Sequence, residues 1–498
     1  MELGNIKAKT GGAPAMAQHI HMIGIGGAGM SSIATVLLQM GHKVSGSDLR
    51  DSETLRSLQQ QGAMIYVGHA APHVMGADLV VFSSAIPKGN PEMLAAETQG
   101  IPILHRSEIL ARILNKNHGI AVAGAHGKTT ITGMIAHILA DLGLDPTVLA
   151  GGEMQNQCVH ARWGQGSYVV AEADESDGSF LRYYPQIAVI TSVEADHLEN
   201  YGGRAGRLVA SYRGFLANLK TGGGLVISHQ AYAVLQDSIE AIKDRVSVVV
   251  YGLGHQGTCE GKALMDGTEL GGGHGGYRAE NIQLTGPTAT FDVYYDDRFL
   301  GESHISVPGV YNVENALAAI AVARLTGLEF SQIAKVLTGF HGAHRRFEWV
   351  GVGDGILVYD DYAHHPTEIK RTLQAAKRGF GRRLIAIFQP QRYSRTQLLM
   401  EEFGRSFKDA DLVVITDIYA PPPESPLPGV TAERLAVLVS EDIGEDRVMY
   451  IGDKQRIPDA LQPCLQTNDL VITMGAGDVW QVAQAVAQRL QQRDVQGM

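Results

Sequence analysis

Gly124-Ala-His-Gly-Lys-Thr-Thr130 has the residue types and spacing to hold a chain of phosphates. It follows a short apolar run, residues 119–123, and precedes an apolar helical pattern, residues 131–142. A glycine-rich turn between strand and helix leaves backbone N–H groups pointing outward at the positive end of the helix, which suits a phosphate. Lys128 adds a full positive charge for the outer phosphates, and Thr129 offers a hydroxyl to a phosphate-bound Mg²⁺. Gly124, Ala125, His126, Gly127 and Thr130 complete the loop. The spacing is shorter than in the ordinary P-loop, whose first glycine would fall at Val122. The plainer alternative is a glycine-rich helix start with an exposed lysine, and it gives the paired threonines no task.

Further acid, His and Arg clusters follow other apolar runs. Ala171-Glu-Ala-Asp-Glu-Ser-Asp177 closes a run at 168–171. So many neighbouring carboxylates repel one another unless a cation is near, and they suit Mg²⁺ and water ligation beside ATP phosphates. The alternative is a solvated acidic loop. Glu194-Ala-Asp-His-Leu198 follows the run 187–190. Parallel neighbouring strands would bring both clusters to one carboxyl edge, where open α/β sheets bind ligands. His197 would offer a metal a neutral ring nitrogen there, although a lone histidine is more often structural. Asp360-Asp-Tyr-Ala-His-His-Pro366 and Phe388-Gln-Pro-Gln-Arg-Tyr-Ser-Arg-Thr396 each follow another such run. A helical turn would set Arg392 and Arg395 on one face, as a clamp for a carboxylate or phosphate. His344-Arg-Arg-Phe-Glu348 adds positive charge nearby. Salt bridges between domains are the competing role for these arginines.

Gly24, Gly26 and Gly29 form a G-x-G-x-x-G turn, with Asp48 close to the interval of a dinucleotide fingerprint. Alone this suggests NAD. The second nucleotide loop at Gly124 shifts the reading toward another diphosphate, such as that of a nucleotide-sugar.

These clusters need strands to present them. Apolar runs at 19–23, 43–46 and 79–82 alternate with helical patterns at 30–40 and 53–61, which reads as a parallel α/β segment. It is expected to end in a short polar connection, residues 112–118. A second segment carries runs at 119–123, 168–171, 187–190, 224–228 and 246–251. A glycine-rich turn at 271–276, antiparallel runs at 289–295 and 302–307 and a helix at 312–325 follow. A third carries buried-strand runs at 355–359, 383–388, 411–415 and 469–473. The expected division is a flexible tail at 1–18 and three domains at 19–115, 116–340 and 341–498. The first and last are Rossmann-like, and the central one is a P-loop-type ATPase domain with a mostly parallel sheet and a small antiparallel one.

At 498 residues the chain exceeds one hydrophobic core. A net charge of −11 argues against a broad nucleic-acid surface. Its three cysteines, Cys158, Cys259 and Cys464, form no C-x-x-C pair, so neither zinc knuckle nor disulfide scaffold is expected. The first eighteen residues lack the apolar core of a signal peptide, and no run is long enough to span a bilayer. A cytoplasmic protein with no membrane or nucleic-acid partner is expected, as monomer or weak homodimer.

In this order the motifs resemble the Mur ligase family, the ATP-dependent amide ligases of peptidoglycan assembly. The resemblance rests on Gly24-Ile-Gly-Gly-Ala-Gly-Met-Ser-Ser32, Glu172-Ala-Asp-Glu-Ser-Asp-Gly-Ser-Phe180, Glu194-Ala-Asp-His197, Asp361-Tyr-Ala-His-His-Pro-Thr-Glu368 and Phe388-Gln-Pro-Gln-Arg-Tyr-Ser-Arg-Thr396. It covers the chain apart from the tail and points to the branch that adds alanine. It implies that the lactyl carboxylate of UDP-N-acetylmuramate attacks the γ-phosphate of ATP, giving an acyl-phosphate and ADP. L-Alanine then displaces phosphate to form the amide.

The resemblance also implies the residues. Gly26, Gly27, Ala28, Gly29, Asp48, Ser83, Ser84 and His105 would hold the sugar nucleotide. ATP would meet the Gly124–Thr130 loop, Asn312, Asn315 and Arg346. Thr129, Glu172 and His197 would hold Mg²⁺, or Mn²⁺ in its place. Asp361, His364, His365, Arg392 and Arg395 would line the alanine pocket. Lys128, Glu172, His197 and Arg392 would carry the catalysis. Two departures from the family pattern stand out. Ala125 replaces the usual Thr or Ser, and residues 201–213 hold no lysine to form the carbamate found in sister ligases. Three rivals remain: a ligase that recycles whole murein peptides, an NAD-dependent dehydrogenase, and a non-catalytic nucleotide-binding module.

Overall fold

The computed structural model describes residues 18–151, 161–194, 198–254, 275–421 and 424–496. The expected tail thus lies almost wholly outside the described residues. The chain forms two compact units. One comprises Met1–Glu280, Asp292–Ser303 and Glu314–Leu337, the other Asn281–Phe291, His304–Val313 and Thr338–Met498.

The first unit opens with β1 (His19–Ile23), β2 (Lys43–Asp48), β3 (Met64–Val67), β4 (Leu79–Phe82) and β5 (Ile103–His105). They form a parallel sheet in the order β3-β2-β1-β4-β5. The order reverses between β1 and β4, and such a switch point opens a crevice at the carboxyl ends of the strands. The glycine turn leaves β1 there. Its helix, Ala28–Gln39, has no side-chain cap, so its first N–H groups remain available to an anion.

The connection expected at 112–118 is mostly helix. Ile113 and Leu114 are fully buried and continue the apolar stripe of Arg106–Asn115, so the next strand follows almost at once. That strand, β6 (His118–Ala123), precedes β7 (Thr147–Leu149), β8 (Ala161–Arg162), β9 (Tyr168–Glu172), β10 (Ile187–Ile190), β11 (Gly223–Ser228) and β12 (Val246–Leu253). After them come β13 (Gly275–Thr285), β14 (Thr288–Tyr295) and β15 (Arg298–Ile305). The sheet order is β15-β14-β13-β12-β11-β10-β6-β9-β7-β8. The strands expected to form a small antiparallel sheet therefore extend this larger one. Of the glycine turn expected at 271–276, Gly275 and Gly276 belong to β13, and the rest lies outside the described residues. The centre, β10-β6-β9, is parallel and apolar on both faces.

The second unit holds β16 (Glu348–Gly353), β17 (Ile356–Asp361), β18 (Arg383–Phe388), β19 (Leu412–Ile415), β20 (Val448–Tyr450) and β21 (Asp469–Met474), in the order β16-β17-β21-β18-β19-β20. All neighbours are parallel except the β16–β17 edge pair.

Beneath the first glycine turn lies a buried carboxylate. Glu92 accepts from Ser47 Oγ at 2.5 Å and meets His73 Nδ1 at 2.6 Å, His69 Nδ1 at 3.3 Å and His21 Nε2 at 3.6 Å. Burial alone would raise its pKa, but the bonds from His21, Ser47 and His73 outweigh that and hold it at about 2. A depressed carboxylate stabilises the fold fully above its unfolded value of 4.5, and that contribution is lost as pH falls toward 2. The acid-unfolding curve is expected to lose about 3 kcal/mol across that window through this group. Glu92→Gln should flatten that part of the curve when circular dichroism is followed against pH.

Candidate active site

The glycine loop leaves the carboxyl end of β6, with β9 on one side and β10 on the other. Ala173 N donates to Val122 O at 2.8 Å, and Thr191 N donates to Ala123 O at 3.0 Å. The clusters that begin at Glu172 and Glu194 thus share the loop's edge. Residues 195–197 lie outside the described residues, and His197 with them.

Both glycines of the loop are required by its geometry. Gly124 sits at φ +130°, and a Cβ there would stand 2.1 Å from Thr191 Oγ1 and 2.8 Å from Ser192 N. Gly127 sits at φ +81°, where a Cβ would stand 2.6 Å from Asn315 Oδ1. Asn315, on the helix Val310–Leu325, therefore lies against the loop. Not every loop amide is free. Ala125 N donates to Ser192 O at 3.4 Å and His126 N to Ser192 Oγ at 3.3 Å. His126 Nε2 also meets Glu194 Oε2 at 3.2 Å. The outward donors are therefore in the first turn of the helix Lys128–Asp141, at Lys128, Thr129 and Thr130.

Lys128 Nζ donates to Gly124 O at 2.6 Å and to the two oxygens of Glu175 at 2.9 and 3.0 Å. Burial favours the neutral amine. The carboxylates of Glu175, Asp174 and Glu172 outweigh it and raise the pKa, so Lys128 stays cationic. Glu172 accepts from Gly151 N at 2.7 Å through one oxygen. Among the described residues no group of three or more His, Cys, Asp and Glu forms a ready metal cage. A hydroxyl and a carboxylate are nevertheless hard oxygen donors of the kind Mg²⁺ takes, since it draws most of its remaining ligands from phosphates and water. Thr129 and Glu172 fit that role.

At the first glycine turn Asp48 Oδ2 accepts from Gly26 N at 3.0 Å, and Oδ1 accepts from Leu49 N at 2.7 Å. Asp48 therefore fixes the turn itself. Ser83 lies against Gly24, with its Oγ 3.3 Å from where a Cβ would be. Gly27 caps the helix that Ala28 begins. At Gly29 a Cβ would meet Arg106 Nη1 at 3.0 Å. Arg106 Nη2 pairs with Asp174 at 2.9 Å and Asp177 at 3.4 Å. Ser84 Oγ joins His105 Nε2 at 2.9 Å and Asp177 Oδ2 at 2.8 Å. The acidic cluster's cations are thus Lys128 and Arg106. Arg106 does not stand out in the sequence. Its signal was the run of carboxylates itself, which demands basic partners from elsewhere in the fold.

In the second unit Asn312 Nδ2 donates to Pro308 O at 2.7 Å. Asp361 ends β17 and accepts from Phe347 N at 2.7 Å and Ala363 N at 2.6 Å. Burial raises its pKa to about 6 against the pull of Arg346. Arg346 meets Glu368 at 3.6 Å. His364 Nδ1 faces two acceptors, Tyr362 O at 2.9 Å and Glu368 Oε2 at 3.3 Å, so Nδ1 carries the proton and Nε2 the lone pair. Burial lowers its pKa to about 4, with Arg395 and Arg346 adding to the fall. His365 caps the helix Pro366–Phe380.

The two arginines do not share a helical face. Arg392 precedes the helix Tyr393–Leu398 at φ +68°, its N–H donating to Tyr419 O at 2.9 Å. Its exposed side chain has no partner among the described residues. Arg395 lies in the helix and donates to Gln391 Oε1 at 3.0 Å. Arg345, part of the basic stretch at 344–348, donates to Asp360, Gly475 O and Gly477 O at 2.8, 2.6 and 2.8 Å.

Comparison with known proteins covers nearly the whole chain. Residues 19–118 match the Mur ligase family catalytic domain, residues 122–323 the Mur ligase middle domain, and residues 345–477 the Mur ligase glutamate ligase domain. The chain belongs to the Mur ligase family. This Mur ligase is 45% identical over 96% of its length to the UDP-N-acetylmuramate–L-alanine ligase of Symbiobacterium thermophilum, covering 96% of that protein. It is 44% identical over 95% of its length to the enzyme of that name from Geobacter sp. strain M21, covering 98% of it. Among solved structures, the UDP-N-acetylmuramate–alanine ligase of Thermotoga maritima aligns over 96% of this chain and 100% of that one, with TM-score 0.77 and 28% identity. A murein peptide ligase from Psychrobacter arcticus aligns over 95% of this chain and 99% of that one, with TM-score 0.66 and 25% identity.

Proposed function

We propose that this Mur ligase joins L-alanine to the lactyl carboxylate of UDP-N-acetylmuramate, using ATP and releasing ADP and phosphate. The observation that carries this is the near-complete alignment, at 45% identity, with a ligase of that name. Domain limits at 19–115, 116–340 and 341–498 accompany the reading. A helix ends at Asn115, a strand begins at His118, and the helix Phe330–Leu337 ends just before 340. Among the described residues no helix is long and apolar enough to cross a membrane. A supply of ATP and of sugar nucleotide puts the reaction in the cytoplasm.

The chemistry follows from charge. The first step brings a carboxylate to a phosphate, so positive charge must offset two anions. Lys128, held cationic at the loop, faces the outer phosphates. Thr129, Glu172 and His197 would hold Mg²⁺, which when bound supplies further positive charge to the phosphates. Gly26, Gly27, Ala28 and Gly29 seat the UDP diphosphate at an uncapped helix, with Ser83, Ser84 and His105 at its side. Arg392 and Arg395 take the alanine carboxylate. Asp361, His364 and His365 line the alanine pocket.

ADP release with UDP-N-acetylmuramate and a panel of amino acids tests the function. Turnover that needs L-alanine supports it. Turnover only with an intact murein peptide would make the enzyme a recycling ligase, and nicotinamide turnover without ATP a dehydrogenase. Arg392→Ala should raise KM for L-alanine at least about tenfold, since a charge-assisted bond is worth about 1.5–3 kcal/mol, and should leave KM for ATP unchanged. Initial rates against L-alanine concentration check this.

A further inference from the structure

We infer that Glu175 is the positioning residue for Lys128. Its buried carboxylate fixes where the ammonium stands before ATP arrives and while the phosphoryl group moves. This rests on the assignment of Lys128 to the γ-phosphate.

The Lys128 ammonium has three protons and no acceptor capacity. One proton goes to Gly124 O, and Glu175 sits almost equally from both of its oxygens, at 2.9 and 3.0 Å. The ammonium thus lies near the bisector of the carboxylate, with hydrogen-bonding capacity left for a phosphate oxygen. A free lysine has a flexible stem and loses rotamer entropy to hold one position, whereas this one is already held.

Glu175 is itself fixed. Its side chain is 6% exposed, and its backbone carbonyl accepts from Gly178 N at 3.1 Å and from the buried Tyr201 hydroxyl. The segment before it is tied to β6 through Ala173 N and Val122 O. Asp174, next in line, is held by Ser176 and by Arg106. A carboxylate anchored this firmly is a poor candidate for swinging away when nucleotide binds. It also stands beside the phosphates it helps to handle, so it repels them in the ground state. Its benefit appears only where Lys128 must meet charge that develops during transfer, and an interaction of that kind acts on kcat rather than on affinity.

Glu175→Gln keeps the shape and removes the charge. The expected result is a kcat per folded molecule lower by at least about tenfold, an ATP dissociation constant unchanged or smaller, and a lower unfolding temperature, because the ammonium loses its buried counter-charge. ATP binding is measured by titration calorimetry and kcat by ADP release. Near-normal kcat, or weaker ATP binding, overturns the inference. A kcat loss that only tracks loss of folded protein, counted by the unfolding curve, does so as well. Should Glu175→Gln fail to fold, Glu175→Asp keeps the buried charge but draws it back by one methylene, and the same split between kcat and affinity is expected. Lys128→Arg run alongside separates the two roles. Normal turnover there removes the role of Lys128 itself. A crippled Lys128→Arg beside a normal Glu175→Gln removes only that of Glu175.

Discussion

Lys128→Ala is expected to lower kcat for ADP release by at least about a thousandfold with every substrate present, because the site speeds phosphoryl transfer chiefly by stabilising its charge. The lysine side chain is 20% exposed, so its charge is only partly screened by water. It is also the nearest counter-charge to Glu175, which is 6% exposed at its side chain. Removing the lysine leaves that carboxylate unpaired, and breaking one partner of a buried pair costs about 3–5 kcal/mol. Lys128→Ala should therefore lower both turnover and the unfolding temperature. The double variant Lys128→Ala with Glu175→Gln takes away both charges. It should regain most of the stability and none of the turnover, which separates the chemical loss from the folding loss. Turnover near that of the wild type in the stable double variant would remove Lys128 from the chemistry.

The sequence made the edges legible and left the side-chain geometry hidden. Apolar runs placed β6, β9, β10, β17 and β18, and with them the loops at Gly124, Glu172, Glu194, Asp361 and Arg392. A strand buried on both faces needs a continuous apolar run, and that signal is local. Short or edge strands such as β5, β16 and β20 carry no such run and leave no comparable trace. The bonds each polar side chain makes depend on partners far along the chain. Asp48 reads as part of a dinucleotide fingerprint, and the structure adds that its oxygens accept from the Gly26 and Leu49 amides. His365, a pocket residue by resemblance, also caps a helix, which its spacing does not announce. Arg392 reads as helical yet stands at positive φ, held by a bond to Tyr419. Non-glycine residues are strained in that region, and such strain gathers where a fold must aim a functional group. Nothing in the spacing of Arg392 and Arg395 announces it.

Gly124→Ala should be the most damaging small change in the loop. The residue stands at φ +130°, outside the range an alanine adopts readily, and the added Cβ would overlap Thr191 Oγ1 and press on the backbone of Thr191 and Ser192. A flexible side chain can turn aside, but the backbone after β10 cannot, because Thr191 N is bonded to Ala123 O at 3.0 Å and Ala125 N to Ser192 O. The loop must therefore lift from the sheet edge. That movement breaks the bond from Lys128 Nζ to Gly124 O and takes the ammonium off Glu175. The expected cost is about 2–4 kcal/mol of stability from strain and overpacking, with kcat/KM for ATP lower by at least about a hundredfold. Gly127→Ala is the milder neighbour, since its Cβ meets the end of the Asn315 side chain, which can rotate. The two variants compared by ATP titration and thermal unfolding rank the contacts directly. If Gly127→Ala proved the worse in both, the loop's shortened spacing would owe its form to the helix that carries Asn315. If Gly124→Ala is worse, as the backbone contacts require, the shortening reflects how closely the loop lies against the end of β10.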